Sequence, residues 1–113
     1  MEKVKKIYHH YCLIRDDLPI GVIAAQLVHA AGESNPEGKK CHSVVLSTNK
    51  LEDVESMLRS NEILHTPIRE PNSPYNGELL AIGVNPCVRD QSPILKNIMK
   101  KLTLLGKKDE TKY

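Results

Sequence analysis

The chain reads as a single α/β domain, and three observations point there. Runs of strand-like apolar residues alternate with segments of helical period, in the order β-α-β-α-β-β-α. Two βα units in succession predict a largely parallel sheet with helices on its faces. The length of 113 residues suits one domain over 1–113, and a hydrophobic content of 40% supplies one core. With no Phe and no Trp, that core has to be aliphatic and alanine-packed. The ends, 1–6 and 107–113, are expected to be flexible.

Each element has its own signal. Residues 7–14 combine Tyr, His, Cys and aliphatic side chains and predict a first strand. Asp16 to Pro19 turns the chain, with Asp17 placed to cap the next helix and Pro19 in its first turn. That helix is predicted over 20–31 and ends at Gly32. A polar loop over 33–40 leads to a second strand over 42–48, built on Ser-Val-Val-Leu-Ser. Asn49 with Glu52 reads as a capping box for a helix over 50–59, whose Leu51, Val54, Met57 and Leu58 share a face. A third strand is predicted over 63–68. A loop dense in turn residues follows over 69–77, and a fourth strand over 78–84. Ser92-Pro93 opens a last helix over 92–104, with Ile94, Leu95, Ile98, Met99 and Leu102 facing inward and Gly106 closing it.

Charge and cysteines narrow the function classes. A net charge of +2 does not announce a nucleic-acid binder. The lysines are uneven, however: Lys3, Lys5 and Lys6 lead, Lys39 and Lys40 sit mid-chain, and Lys96, Lys100, Lys101, Lys107 and Lys108 cluster late. Such a basic end can meet phosphate or simply be solvated surface. Cys12, Cys41 and Cys87 are odd in number and lack CxxC spacing, which argues against a disulfide framework or a zinc site. His9 and His10 are adjacent on a strand and point to opposite faces, so they cannot share a metal. No metal and no cofactor are expected. Reduced cysteines, a polar start after Met1 and the lack of a membrane-length apolar stretch predict a cytoplasmic protein.

The chemistry concentrates in the run from Leu13 to Ala31. An apolar strand ends in Arg15-Asp16-Asp17, and the helix beyond carries two strongly polar side chains, Gln26 and His29, at i and i+3. Polar groups on an alanine-rich helix packed on a sheet need a reason. This run resembles the signature of the type 2 peptidyl-tRNA hydrolase family: Arg-x-Asp-Leu, then Gly-Lys-x-Ala-Ala-Gln-x-x-His-Ala. Arg15, Asp17, Leu18, Gly21, Ala24, Ala25, Gln26, His29 and Ala30 match in order and spacing, while the family lysine falls on Val22. The same mismatch occurs in the divergent peptidyl-tRNA hydrolase domain-containing branch. The likeness runs from about Tyr8 to Gly106.

The resemblance implies a three-layer α/β/α sandwich over a four-stranded mixed sheet. It also implies hydrolysis of the ester joining a peptide to the terminal ribose of tRNA. The partner is then a peptidyl-tRNA or the acceptor end of tRNA, and, since the family often forms dimers, a homodimer is an expectation. Such chemistry needs an activated water and a donor for the oxyanion. His29 and Gln26 are the expected catalytic pair, with Asp17 and Glu70 as catalytic carboxylates. Arg15, Arg69, Asn72 and Ser73 are expected to bind substrate. Each also has a plainer reading: His29 as a packed helix histidine, Gln26 as a tie to a loop, Asp17 as a helix cap, and Arg15 as the partner of Asp16, Asp17 or Glu70.

The departures from the family pattern fall on the expected site. Val22, Gln26 and His29 lie on one stripe of the helix, so a lysine at position 22 would put a cation beside the other two. The family's acidic and hydroxyl residues after its third strand, in a pattern like Asp-Ala-Gly-Arg-Thr, are answered by Arg69-Glu70-Pro71-Asn72-Ser73. Three readings follow: an ester hydrolase in which Arg15 or Arg69 supplies the cation, a catalytically weak module binding a tRNA end or a protein, or an interaction domain without an RNA role.

Overall fold

A computed structural model describes residues 6–106, so the ends expected to be flexible lie outside the described residues except for exposed Lys6. The chain order is β1 (Tyr8–Arg15), α1 (Ile20–Glu33), β2 (Cys41–Thr48), α2 (Leu51–Ser60), β3 (His65–Glu70), β4 (Glu78–Val84), β5 (Cys87–Val88), a 3₁₀ turn (Arg89–Gln91), α3 (Pro93–Met99) and β6 (Thr103–Leu104). β1 pairs in parallel with β2 over its whole length, Tyr8 opposite Cys41 through Arg15 opposite Thr48. β4 runs antiparallel to both β1 and β3, so β1, β2 and β3 share one direction. Their carboxyl ends therefore lie on one edge of the sheet.

The expected four-stranded sheet is corrected to six strands, in the order β3-β4-β1-β2-β6 with β5 on the flank of β1. The two additional strands are two residues each. β5 pairs with Tyr8 and His9, and β6 with Leu46 and Ser47. Pairing of that length is carried by backbone groups and leaves no alternation in the side chains. The last helix is also shorter than the expected 92–104. It stops at Met99, because the chain then turns to lay Thr103–Leu104 along β2.

The sheet carries helices on both faces. Under α1 lie Ile14, Leu18, Ile23, Ala30, Ile68, Leu80 and Ala81. Under α2 and α3, Tyr11, Leu13, Leu46, Leu58, Ile82 and Met99 belong to a larger cluster. β4 is buried on both faces after Glu78, which explains its near-continuous apolar run. The two helix layers differ in closeness. A Cβ at Gly83 would run into the Ala30 carbonyl oxygen and the Ser34 hydroxyl, so the end of α1 sits almost on the strand. Below it, His10 Nε2 lies 2.7 Å from Ser34 Oγ, and that hydroxyl donates to the Ala30 carbonyl at 2.6 Å. The Ser34 proton is thus committed, and His10 must be the donor to Ser34 Oγ.

The caps differ from expectation. α1 starts after Pro19 without a side-chain cap, because Asp17 is held by Arg15 instead. It also runs through Gly32 to Glu33, with Ser34 at its carboxyl cap. α2 starts after Lys50 rather than through an Asn49–Glu52 box. The Lys50 N–H donates to Thr48 Oγ1 at 3.1 Å, and Glu52 is engaged elsewhere.

Candidate functional site at the carboxyl edge of the sheet

β1 delivers Arg15 to the carboxyl edge on the α2 side. Its side chain shares that face with Tyr11 and Leu13, by the two-residue period of the strand. Arg15 Nε and Nη2 donate to the two carboxylate oxygens of Asp17 at 2.8 and 2.9 Å. Its remaining nitrogen, Nη1, donates to Glu78 Oε2 at 2.7 Å, where β4 begins at the same edge. This fork-to-fork geometry fixes the guanidinium in place. The two hydrogen bonds from Arg15 hold the Asp17 carboxyl below its ordinary value, and the same bonds hold Arg15 firmly protonated.

Arg69 makes a similar arrangement on β3, across β4 from Arg15. It donates to Glu52 Oε1 and Oε2 at 3.0 and 3.1 Å and to the Gly77 carbonyl at 3.2 Å. Those bonds depress the Glu52 carboxyl and raise Arg69. The loop between β3 and β4 is largely bonded to itself. Glu70 Oε1 accepts the Asn72 N–H at 3.0 Å, and the Glu70 carbonyl accepts the Gly77 N–H at 2.6 Å. Gly77 has φ of +92°, in the left-handed region that glycine tolerates. Asn72 and Ser73 are exposed on this loop.

A cleft of about 430 Å³ opens between these groups and the start of α2. Arg15, Asp17, Lys50, Glu52, Asp53 and Glu78 line it. The side chains of Lys50 and Asp53 make no hydrogen bond or ion pair among the described residues, whereas the other four are tied into the two arginine clusters. The cleft therefore offers one free ammonium and one free carboxylate beside Arg15, held by two carboxylates, and the one-to-one Arg69–Glu52 pair.

The expected catalytic pair lies elsewhere. α1 leads away from the carboxyl edge, so Gln26 and His29 sit roughly 9 and 14 Å along its axis from Ile20. Gln26 turns toward the sheet beside Ile23 and Ala30 and is 8% exposed, while His29 is exposed. Neither makes a side-chain hydrogen bond among the described residues. Val22 packs on the α1-side cluster. The sheet stands between this stripe and Arg15, which explains why one sequence motif is split over two faces. The structure thus brings Arg15, Asp17, Arg69 and, at the end of β3, Glu70 to one edge, and leaves Gln26 and His29 apart from them.

Sequence reasoning missed Glu78, Glu52, Lys50 and Asp53. Glu78 carried a usable signal, a single charge at the head of an otherwise apolar strand. The acidic first turn of α2 carried another, since carboxylates there also complement the helix N-terminus. Among the described residues no cluster of three His, Cys, Asp or Glu side chains is placed to hold a metal ion. No helix of the described residues is long and apolar enough to cross a membrane.

Comparison with known proteins adds the fold alone. No family model and no curated protein matches the chain. The chain is similar to the solved structure of Atu0240, a protein of unknown function from Agrobacterium tumefaciens. The TM-score is 0.53 at 16% identity, over 86% of this chain and 96% of that one.

Proposed function

We propose that the chain is a peptidyl-tRNA hydrolase-like esterase that engages the acyl-bearing end of tRNA at the carboxyl-edge cleft. The sequence resemblance in the Arg15 to Ala30 run motivates the substrate class. In open α/β sheets, ligands bind beyond the carboxyl ends of the strands. The observation that carries the proposal is the unpaired ammonium of Lys50 in a cleft whose guanidinium groups are already bound to carboxylates. It offers the charge that Val22 withholds from the family position. In this reading Lys50 stabilises the oxyanion that develops on the ester carbonyl, and Asp53 takes the proton from the attacking water. Arg15, held by Asp17 and Glu78, positions the ribose-phosphate end.

Turnover of a defined peptidyl-tRNA by the purified chain tests this. Lys50→Ala is expected to lower the rate by roughly a hundredfold, the scale for losing one oxyanion contact. Hydrolysis unaffected by Lys50→Ala removes the assigned role. Absence of hydrolysis above background overturns the esterase reading. The second reading, a binding module without turnover, is favoured by the bidentate Arg15 and Arg69 pairs, which leave neither guanidinium free for a transition state. It predicts tRNA binding that weakens steeply with salt and no ester cleavage.

A further inference from the structure

A second recess runs along β1 and β2 from His9 to Leu46, on the same face as Arg15. Its floor includes Val44 and Leu46 of β2, and its far wall is Met99 of α3 with Leu104 of β6. It holds about 430 Å³. Lys96 and Lys100 stand along α3 at its rim, one helical turn apart, and no carboxylate lines it. Lys96 meets Asp90 only at 3.8 Å, and Lys100 makes no ion pair among the described residues. His9 closes the inner end. Its Nδ1 is shut off from solvent and has no hydrogen-bond partner. Of the other buried polar side chains, His10 bonds Ser34 and Glu55 bonds His65, while Gln26 makes no side-chain hydrogen bond among the described residues. A buried polar atom without a partner costs free energy comparable to a lost hydrogen bond and calls for an explanation.

An apolar trough with two ammonium groups at its lip describes its own ligand. We propose that this groove binds a small amphiphilic anion, an apolar body bearing a single carboxylate. The body lies on Val44, Leu46 and Met99, and the carboxylate sits between the lysines. The volume falls within the range of small-molecule pockets, and a few polar groups in a mostly apolar lining are the usual composition of such sites. The groove shares no lining residue with the carboxyl-edge cleft and does not depend on the esterase reading.

Decanoate, decanol and inorganic phosphate are suitable probes, each titrated into isotopically labelled full-length chain below the micelle concentration of the fatty acid. Decanoate is expected to shift the backbone amide signals of Val44, Leu46, Met99 and Lys100, with decanol and phosphate binding at least tenfold more weakly. The exposed double substitution Lys96→Gln/Lys100→Gln is expected to weaken decanoate at least tenfold without altering the remaining spectrum. Equal binding of decanoate and decanol, shifts confined to the outer face of α1, undiminished affinity in the lysine variant, or no binding at all overturns the proposal.

Discussion

His9 and His10 are neighbours on one strand, yet they meet opposite circumstances. His10 turns under α1, where Ser34 meets its Nε2 and the packing is close enough to exclude a side chain at Gly83. His9 turns toward α3, stacks beside Tyr11 and His42 at ring separations of 6.1 and 5.7 Å, and keeps a buried nitrogen without a partner. On the α1 face His10 and Ser34 satisfy each other, while Gln26, also buried there, makes no side-chain hydrogen bond among the described residues. The α3 face has a larger aliphatic core but ends in an open groove with unmet polar capacity. Where a buried polar group is satisfied, its loss should be felt in stability. Where it is not, its loss should leave stability nearly unchanged.

Substitutions on the two faces sharpen this contrast. The largest effect is expected from Gly83→Ala. The new methyl meets backbone carbonyl and hydroxyl rather than a yielding side-chain tip, so a destabilisation of about 3 kcal/mol is expected from urea denaturation. A change below about 0.5 kcal/mol would mean that α1 can lift off β4 freely, and the contrast in closeness would go.

Next comes pH. Burial lowers the His10 pKa from its ordinary 6.5, so the folded chain holds this imidazole neutral. As pH falls through that ordinary value the unfolded chain takes up a proton that the folded chain resists, and stability declines from there downward. Urea midpoints measured between about pH 7.5 and about pH 5 should fall, and His10→Gln should flatten that part of the profile. An unchanged slope in the variant would remove His10 as the source.

The smallest stability effect is expected from His9→Phe. It replaces an unpartnered polar atom by an apolar one of similar shape, which is near neutral or slightly stabilising, within about 0.5 kcal/mol. A loss above about 1.5 kcal/mol, the scale of a real hydrogen bond, would show that His9 is as satisfied as His10 and would erase the difference between the faces.

Much of this architecture was legible because its causes are local. The apolar runs and the helical periods placed the strands over Tyr8–Arg15, Cys41–Thr48 and Glu78–Val84 and the helices α1 and α2 within a few residues. The opposed directions of His9 and His10 also follow from strand geometry alone. Where expectation failed, a distant partner had intervened. Asp17 caps nothing because Arg15 holds it, and Arg15 is held in turn by Glu78, 63 residues away. The last helix carries the helical pattern Ile98, Met99, Leu102 onward, but β2 captures Thr103–Leu104 through its backbone. Gln26 and Arg15 belong to one motif yet lie on opposite faces. The motif was read along the chain, whereas the faces are set by the alternation of β1 and by the helix that follows it.

The function proposed here rests on recognition of the acyl-bearing end of tRNA. The most direct measurement compares the affinity of the chain for intact tRNA and for the same tRNA with its terminal CCA nucleotides removed, at one fixed low salt concentration. A cleft at the carboxyl edge that takes the terminal ribose predicts that trimming weakens binding by roughly tenfold or more, one good contact being worth about 1.4 kcal/mol. Equal affinity for the two RNAs, or no binding of either, would contradict it.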